Sequence, residues 1–196
     1  MKRSIVSALF VSVSLALAGA AQAAIIHFEV DLAGTSENPP NASPGLGAAL
    51  INIDDVARTM FIDVTFSGLI GLTTASHIHR CTTPPINAPV ATQTPSFIGF
   101  PLGVTSGTFT NTFDMTQASS YRAGFITDHG GTPTSAFDAL LTGMLGGQAY
   151  LNIHTQEFPG GEIRGALIQV PEPASLALFS IALVGLGAVR RRALPG

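Results

Sequence analysis

A single cysteine, Cys81, stands among 196 residues, so no disulfide can form within the chain. In an oxidising compartment its thiol would be free, a metal ligand or an intermolecular bridge. Lysine is nearly absent too, Lys2 being the only one. Charged residues make up only 11% of the sequence, and five of the nine basic ones (Lys2, Arg3, Arg190, Arg191, Arg192) lie in the terminal segments. Between those ends, four arginines face twelve carboxylates, Glu172 included, for a net charge near −8. Such a surface repels phosphate backbones and excludes nucleic acid as a partner. Also missing are a Gly-x-Ser-x-Gly nucleophile turn and a phosphate-cradling Gly-Lys-Ser/Thr loop. The carboxylates are scattered, so no acid/base pair can be assigned.

What is present begins with two apolar ends. Lys2 and Arg3 precede a charge-free run from Ile5 to Ala18, followed by Ala21-Gln22-Ala23. This is the order of a secretion signal, with Ala21 and Ala23 forming the small-x-small cleavage pattern, so residues 1–23 are expected to be removed. At the other end Pro171-Glu172-Pro173 leads into a charge-free run from Ala174 to Val189, closed by Arg190, Arg191 and Arg192. As a helix that run would span roughly 24 Å, less than the roughly 30 Å hydrocarbon core of a bilayer. The segment 170–196 resembles the PEP-CTERM sorting signal of Gram-negative bacteria. The resemblance implies an exosortase-type processing enzyme as partner and transient membrane insertion through the C-terminal helix. It also implies delivery across the inner membrane to the cell surface or extracellular matrix.

The intervening residues 24–169 form one domain. Ile26 to Leu32 alternates strictly between apolar and polar, the period of a half-buried strand. Met60 to Phe66 repeats the pattern, and Thr108 to Phe113 does so again. Tyr150–Thr155 and Gly161–Gln169 read as two further strands joined by a Pro159-Gly160 turn. The long connection Thr82–Gly103 carries five prolines, and a loop of that length is usually functional or loosely ordered. Phe137, Leu140, Leu141 and Met144 fall at helical spacing, with Ser135 and Asp138 as the expected capping pair. The expected fold is mostly β, an antiparallel β-sandwich of immunoglobulin or superoxide-dismutase type with one short helix.

Polar side chains gather on particular strand faces. His77 and His79 share one face of their strand, and Cys81 continues it if the strand persists that far. Tyr150, Asn152 and His154 share another face, and Glu162 and Arg164 a third. Neutral imidazoles are common ligands of copper and zinc, so His77, His79 and His154, with Cys81, form a candidate metal site. The alternative is a hydrogen-bonded network of the histidines with Asn152, Glu162 and Arg164 that fixes strand register and holds no cofactor. His27 and His129 are expected to be exposed, and the Asn41-Ala42-Ser43 sequon to be a coincidence.

The segments Ala75–His79, Gly147–Thr155 and Pro159–Gly165, together with Gly34–Pro40, Val90–Thr92 and Gly99–Gly107, resemble the CHRD domain, first described in chordin. The resemblance implies an extracellular, non-enzymatic protein with a binding or structural role, its partners extracellular polysaccharide or surface proteins. The His-x-His strand and the Glu-x-Arg-Gly ending are also similar to copper–zinc superoxide dismutases, in which His77, His79 and His154 would be copper ligands. Thr82–Gly103 contains no histidine to supply a bridging ligand or a zinc site. The alternative function is therefore metal binding or dismutase-like redox chemistry at a three-histidine site.

Overall fold

Alternation builds the first half of the fold as expected. In β1 (Ile25–Ala33) Phe28, Val30 and Leu32 point inward and are buried, while Glu29 and Asp31 face out. In β3 (Thr59–Ser67) Met60, Ile62, Val64 and Phe66 do the same, and in β5 (Gly107–Asp114) Phe109 and Phe113. Between β1 and β3 runs β2 (Leu46–Asp54), paired along its whole length with both. The sequence pattern does not predict β2, because Leu46 and Leu50 lie on its outer face and blur the alternation. The structure, a computed structural model, describes residues 25–80 and 82–171. Ala21, Ala23, Cys81, Glu172, Pro173 and Arg190–Arg192 lie outside them. Among the described residues no helix is long and apolar enough to cross a membrane. The expected membrane-inserting run 174–189 falls outside that set.

The second half holds β4 (Thr73–Arg80), β6 (Ala149–Thr155), β7 (Ile163–Ala166) and β8 (Ile168–Val170). The single strand expected over 161–169 is divided at Leu167, which is buried. β7 pairs with β6 and meets β1 only at Ala33, whereas β8 pairs with β1 alone, so the chain changes neighbour there. Gly165 makes the junction possible: a β-carbon on it would run into the backbone carbonyl of Asp31.

All pairings are antiparallel, in the order β4-β6-β7-β1-β2-β3-β5 with β8 beside β1. The sheet curls so that the segment leading into β5 reaches the opposite edge strand, β4. The Thr73 amide donates to the Val104 carbonyl at 2.9 Å, and the Gly103 amide to the Thr73 carbonyl at 2.8 Å. The two halves of the sandwich are thus layers of one continuous sheet, closed over a core that holds Phe28, Ile51 and Ile62 with Ile78, Leu151 and Ile153.

Among the described residues the sheet is accompanied by the six-residue α1 (Ala123–Asp128) and by the expected helix, α2 (Pro133–Leu145). Phe137, Leu140 and Met144 of the expected stripe are buried. The cap differs from expectation, because Thr132 is the N-cap and Ser135 its reciprocal partner three residues on. Asp138 instead pairs with Arg58 at 3.1 Å. The Thr82–Gly103 connection is firmly seated. Phe97 and Phe100 are buried in the core, where Phe100 stacks on Phe66 at 5.5 Å and Phe97 lies 5.3 Å from Phe113. Each such ring contributes about 1.5–3 kcal/mol through burial.

Candidate metal centre

The antiparallel register of β4 and β6 sets His77 opposite Asn152, His79 opposite Tyr150 and Ala75 opposite His154. The period of two then brings His77, His79 and His154 to one face. Their ring centroids are 5.0 Å apart for His77 and His154, and 5.7 Å for the other two pairs. His77 and His79 are buried and His154 is half-buried. One ligand nitrogen from each lies within 4.8 Å of the others.

Each ring is oriented by a backbone carbonyl. His77 Nε2–H donates to the Pro95 carbonyl at 2.6 Å, His79 Nδ1–H to that of Ala88 at 2.8 Å, and His154 Nδ1–H to that of Pro159 at 3.0 Å. A carbonyl only accepts, so the ring nitrogen facing it must carry the proton. The opposite nitrogens, His77 Nδ1, His79 Nε2 and His154 Nε2, are all buried and have no hydrogen-bond partner. Burial holds the rings neutral. It lowers the pKa of His77 against the opposing effect of the Pro95 bond. It lowers His79 to about 4, the Ala88 bond opposing and positive charge on His154, His77 and Arg164 adding to the effect. It brings His154 to about 4 as well, with His77 contributing and the Pro159 bond opposing. Neutral rings with one nitrogen protonated leave three bare lone pairs in one buried space. A carbonyl on the far nitrogen is the usual support of a metal-bound histidine.

Tyr150 and Arg164 brace this corner. Tyr150 stacks on His79 at 4.8 Å, its hydroxyl accepts from the Ala88 amide at 3.0 Å, and the Arg164 guanidinium lies 4.7 Å over its ring. Arg164 donates to the Ser36 carbonyl and the Pro85 carbonyl at 2.6 Å and to Asn87 Oδ1 at 2.7 Å. It therefore fixes residues 85–87, which lead directly into the carbonyl that orients His79. Glu37 sits 3.7 Å from Arg164, and burial pushes its carboxyl up to about 7 although Arg164 acts against the rise.

The remaining expected residues divide among separate clusters. Glu162 makes no bond to the histidines; it accepts from Ser43 Oγ, the Ile70 and Gly71 amides and Thr155 Oγ1. Burial pushes its pKa up, and these four bonds outweigh it and hold the carboxyl below its usual range. Asn152 Oδ1 is buried without a partner, as is Glu37 Oε1. Both lie 2.6 Å from where a β-carbon on Gly161 would stand, and Gly161 has φ +130°, so only glycine suits that position. Asn41 is engaged structurally, its amide donating to the Glu162 carbonyl at 3.0 Å. His27 and His129 are partly buried rather than exposed. His27 Nδ1 bonds Asn52 Oδ1 at 2.7 Å, and His129 packs on Phe125 with ring centres 4.2 Å apart. Cys81 lies outside the described residues. Sequence reasoning missed Glu37 and the three orienting carbonyls. Only the proline content of the loop and of the Pro159 turn hinted at rigid backbone there.

A family model described as the CHRD domain matches residues 28–167. A second, the PEP-CTERM protein-sorting motif, matches residues 169–192. No curated protein and no solved structure matches the chain. The sorting motif implies processing by an exosortase-type system and export to the surface or exterior of a Gram-negative cell.

Proposed function

The chain belongs to the CHRD-domain family, and on that premise we propose that its exported domain is a non-enzymatic binding module for one copper or zinc ion held by His77, His79 and His154. One observation carries the reading: three imidazoles whose ligand nitrogens lie within 4.8 Å of one another each keep a buried nitrogen with no hydrogen-bond partner. Buried polar atoms are almost always satisfied. A network serving only to pin strands would pair both nitrogens of each ring, and each of these rings pairs one.

Binding is favoured over turnover by the surroundings. The three free nitrogens are sealed from solvent, which leaves a bound ion little access to a substrate. Thr82–Gly103 contributes carbonyls, those of Ala88 and Pro95, and no further imidazole. A two-metal dismutase centre therefore lacks its ligands on this loop.

The test is elemental analysis of the exported protein purified without a polyhistidine tag, before and after exposure to micromolar copper and zinc. One equivalent of either metal, absent in His79→Ala, supports the reading. An unaltered, folded protein that takes up neither metal removes it.

A further inference from the structure

Resting on the metal-binding reading, we propose that the occupant is copper(I), held three-coordinate by imidazole nitrogens alone, in preference to zinc(II) or copper(II). The donor set points there first. Among the described residues the cluster consists of His77, His79 and His154, with no carboxylate in it. Zinc sites are almost always four-coordinate, with a protein ligand or water in the fourth position. Copper(II) favours a tetragonal set of four or more nitrogen and oxygen donors. Copper(I) has a filled d shell and accepts three donors in a plane.

Access points the same way. His77 and His79 are only 7% and 8% exposed, and the lone-pair nitrogen of every ring is shut off from solvent. Tyr150 lies flat against His79 and closes that side.

Charge is the third argument. An imidazole binds a metal as a neutral donor, and the Arg164 guanidinium lies 4.7 Å over the Tyr150 ring that stacks on His79. Desolvation cost grows with the square of the charge, so a divalent ion is penalised about four times as heavily as a monovalent one in the same cavity. A single positive charge is the smallest that a metal can bring into this corner. By linkage, preference for copper(I) also holds bound copper reduced, because each oxidation state is stabilised in proportion to its affinity.

The experiment is an anaerobic titration of the tag-free exported protein with copper(I) supplied from bicinchoninate, beside titrations with zinc(II) and copper(II), followed by X-ray absorption of the copper form. The expected result is one copper(I) per chain, bound more tightly than zinc(II) or copper(II), with three nitrogen scatterers and no sulfur. Cys81→Ser is expected to leave that affinity unchanged, and His154→Ala to abolish it while circular dichroism stays native. Zinc(II) or copper(II) binding as tightly as copper(I), a fourth ligand, or a sulfur lost in Cys81→Ser would overturn the assignment and leave the metal-binding reading standing. Failure to bind any of the three ions would overturn both.

Discussion

Two buried polar clusters share β6 and the turn and strand that follow it, and they are satisfied in opposite ways. At one, the Glu162 carboxylate accepts four hydrogen bonds, filling all the lone-pair positions that a carboxylate offers. At the other, three imidazoles each use one nitrogen and leave one bare. The first arrangement leaves no lone pair open; the second leaves three. Burial alone does not separate them. The difference lies in the count of unmade bonds, and on the proposed reading it sets Glu162 in the scaffold and the histidines around a metal.

The largest effect tests the scaffold side. Glu162→Ala removes four bonds at once and strands the Ile70 and Gly71 amides in the interior. It should lower stability by about 3–5 kcal/mol, read as a fall in the urea midpoint, while the protein that remains folded still takes up one metal. Loss of metal from that folded fraction would break the separation between the clusters. On the other side, His79→Ala deletes a group that already had one unmade bond. Metal-free, it should cost only about 1 kcal/mol. In the presence of metal at a thousandfold its dissociation constant the gap to the wild type should widen by about 4 kcal/mol, visible as a metal-dependent melting shift that the variant lacks.

How much of this was legible in the sequence follows from the same contrast. Side-chain periodicity is written in residue types, so the alternation of Ile26–Leu32 and Met60–Phe66 and the shared face of His77 and His79 could be read directly. β2 was hidden because Leu46 and Leu50 face outward, where a polar residue would have marked the strand. The break at Leu167 depends on which neighbour the chain pairs with, and no local pattern encodes that. The histidine corner was half legible. The rings stood out as histidines, but the groups that orient them are carbonyls of Ala88, Pro95 and Pro159, and every residue carries a carbonyl. Asn152, Glu162 and Arg164 were grouped by strand parity, whereas the folded chain sends Glu162 to the 69–71 turn and Arg164 to the 36–37 and 85–87 segments.

A smaller effect concerns acid. His79 and His154 titrate near 4 in the native protein against an ordinary value of 6.5. Between those limits the unfolded chain binds more protons than the folded one, so stability rises with pH there and is lost as pH falls from about 6.5 toward 4. Chelator-treated protein should show this slope in its urea midpoint, and a His79→Gln/His154→Gln variant should flatten it. An unchanged slope in that variant would place the acid sensitivity elsewhere.

The smallest effect sharpens the comparison at the one buried carboxyl that resembles the histidines more than Glu162. Glu37 leaves Oε1 without a partner, and its folded pKa is raised from 4.5 to about 7 by burial, with Arg164 opposing. Its sign is opposite to that of the histidines. The folded state holds its proton where the unfolded chain has released it, so its contribution is complete below about 4.5 and is lost as pH rises through 7. Within pH 4.5–6.5 the two histidines therefore raise stability with pH while Glu37 lowers it. Glu37→Gln keeps the shape, removes the titration and should steepen the rise in the metal-free protein. It should leave metal stoichiometry untouched, because no bond joins Glu37 to a ligand ring. An unchanged rise would mean that the carboxyl stays ionised against Arg164, as a scaffold group like Glu162 does.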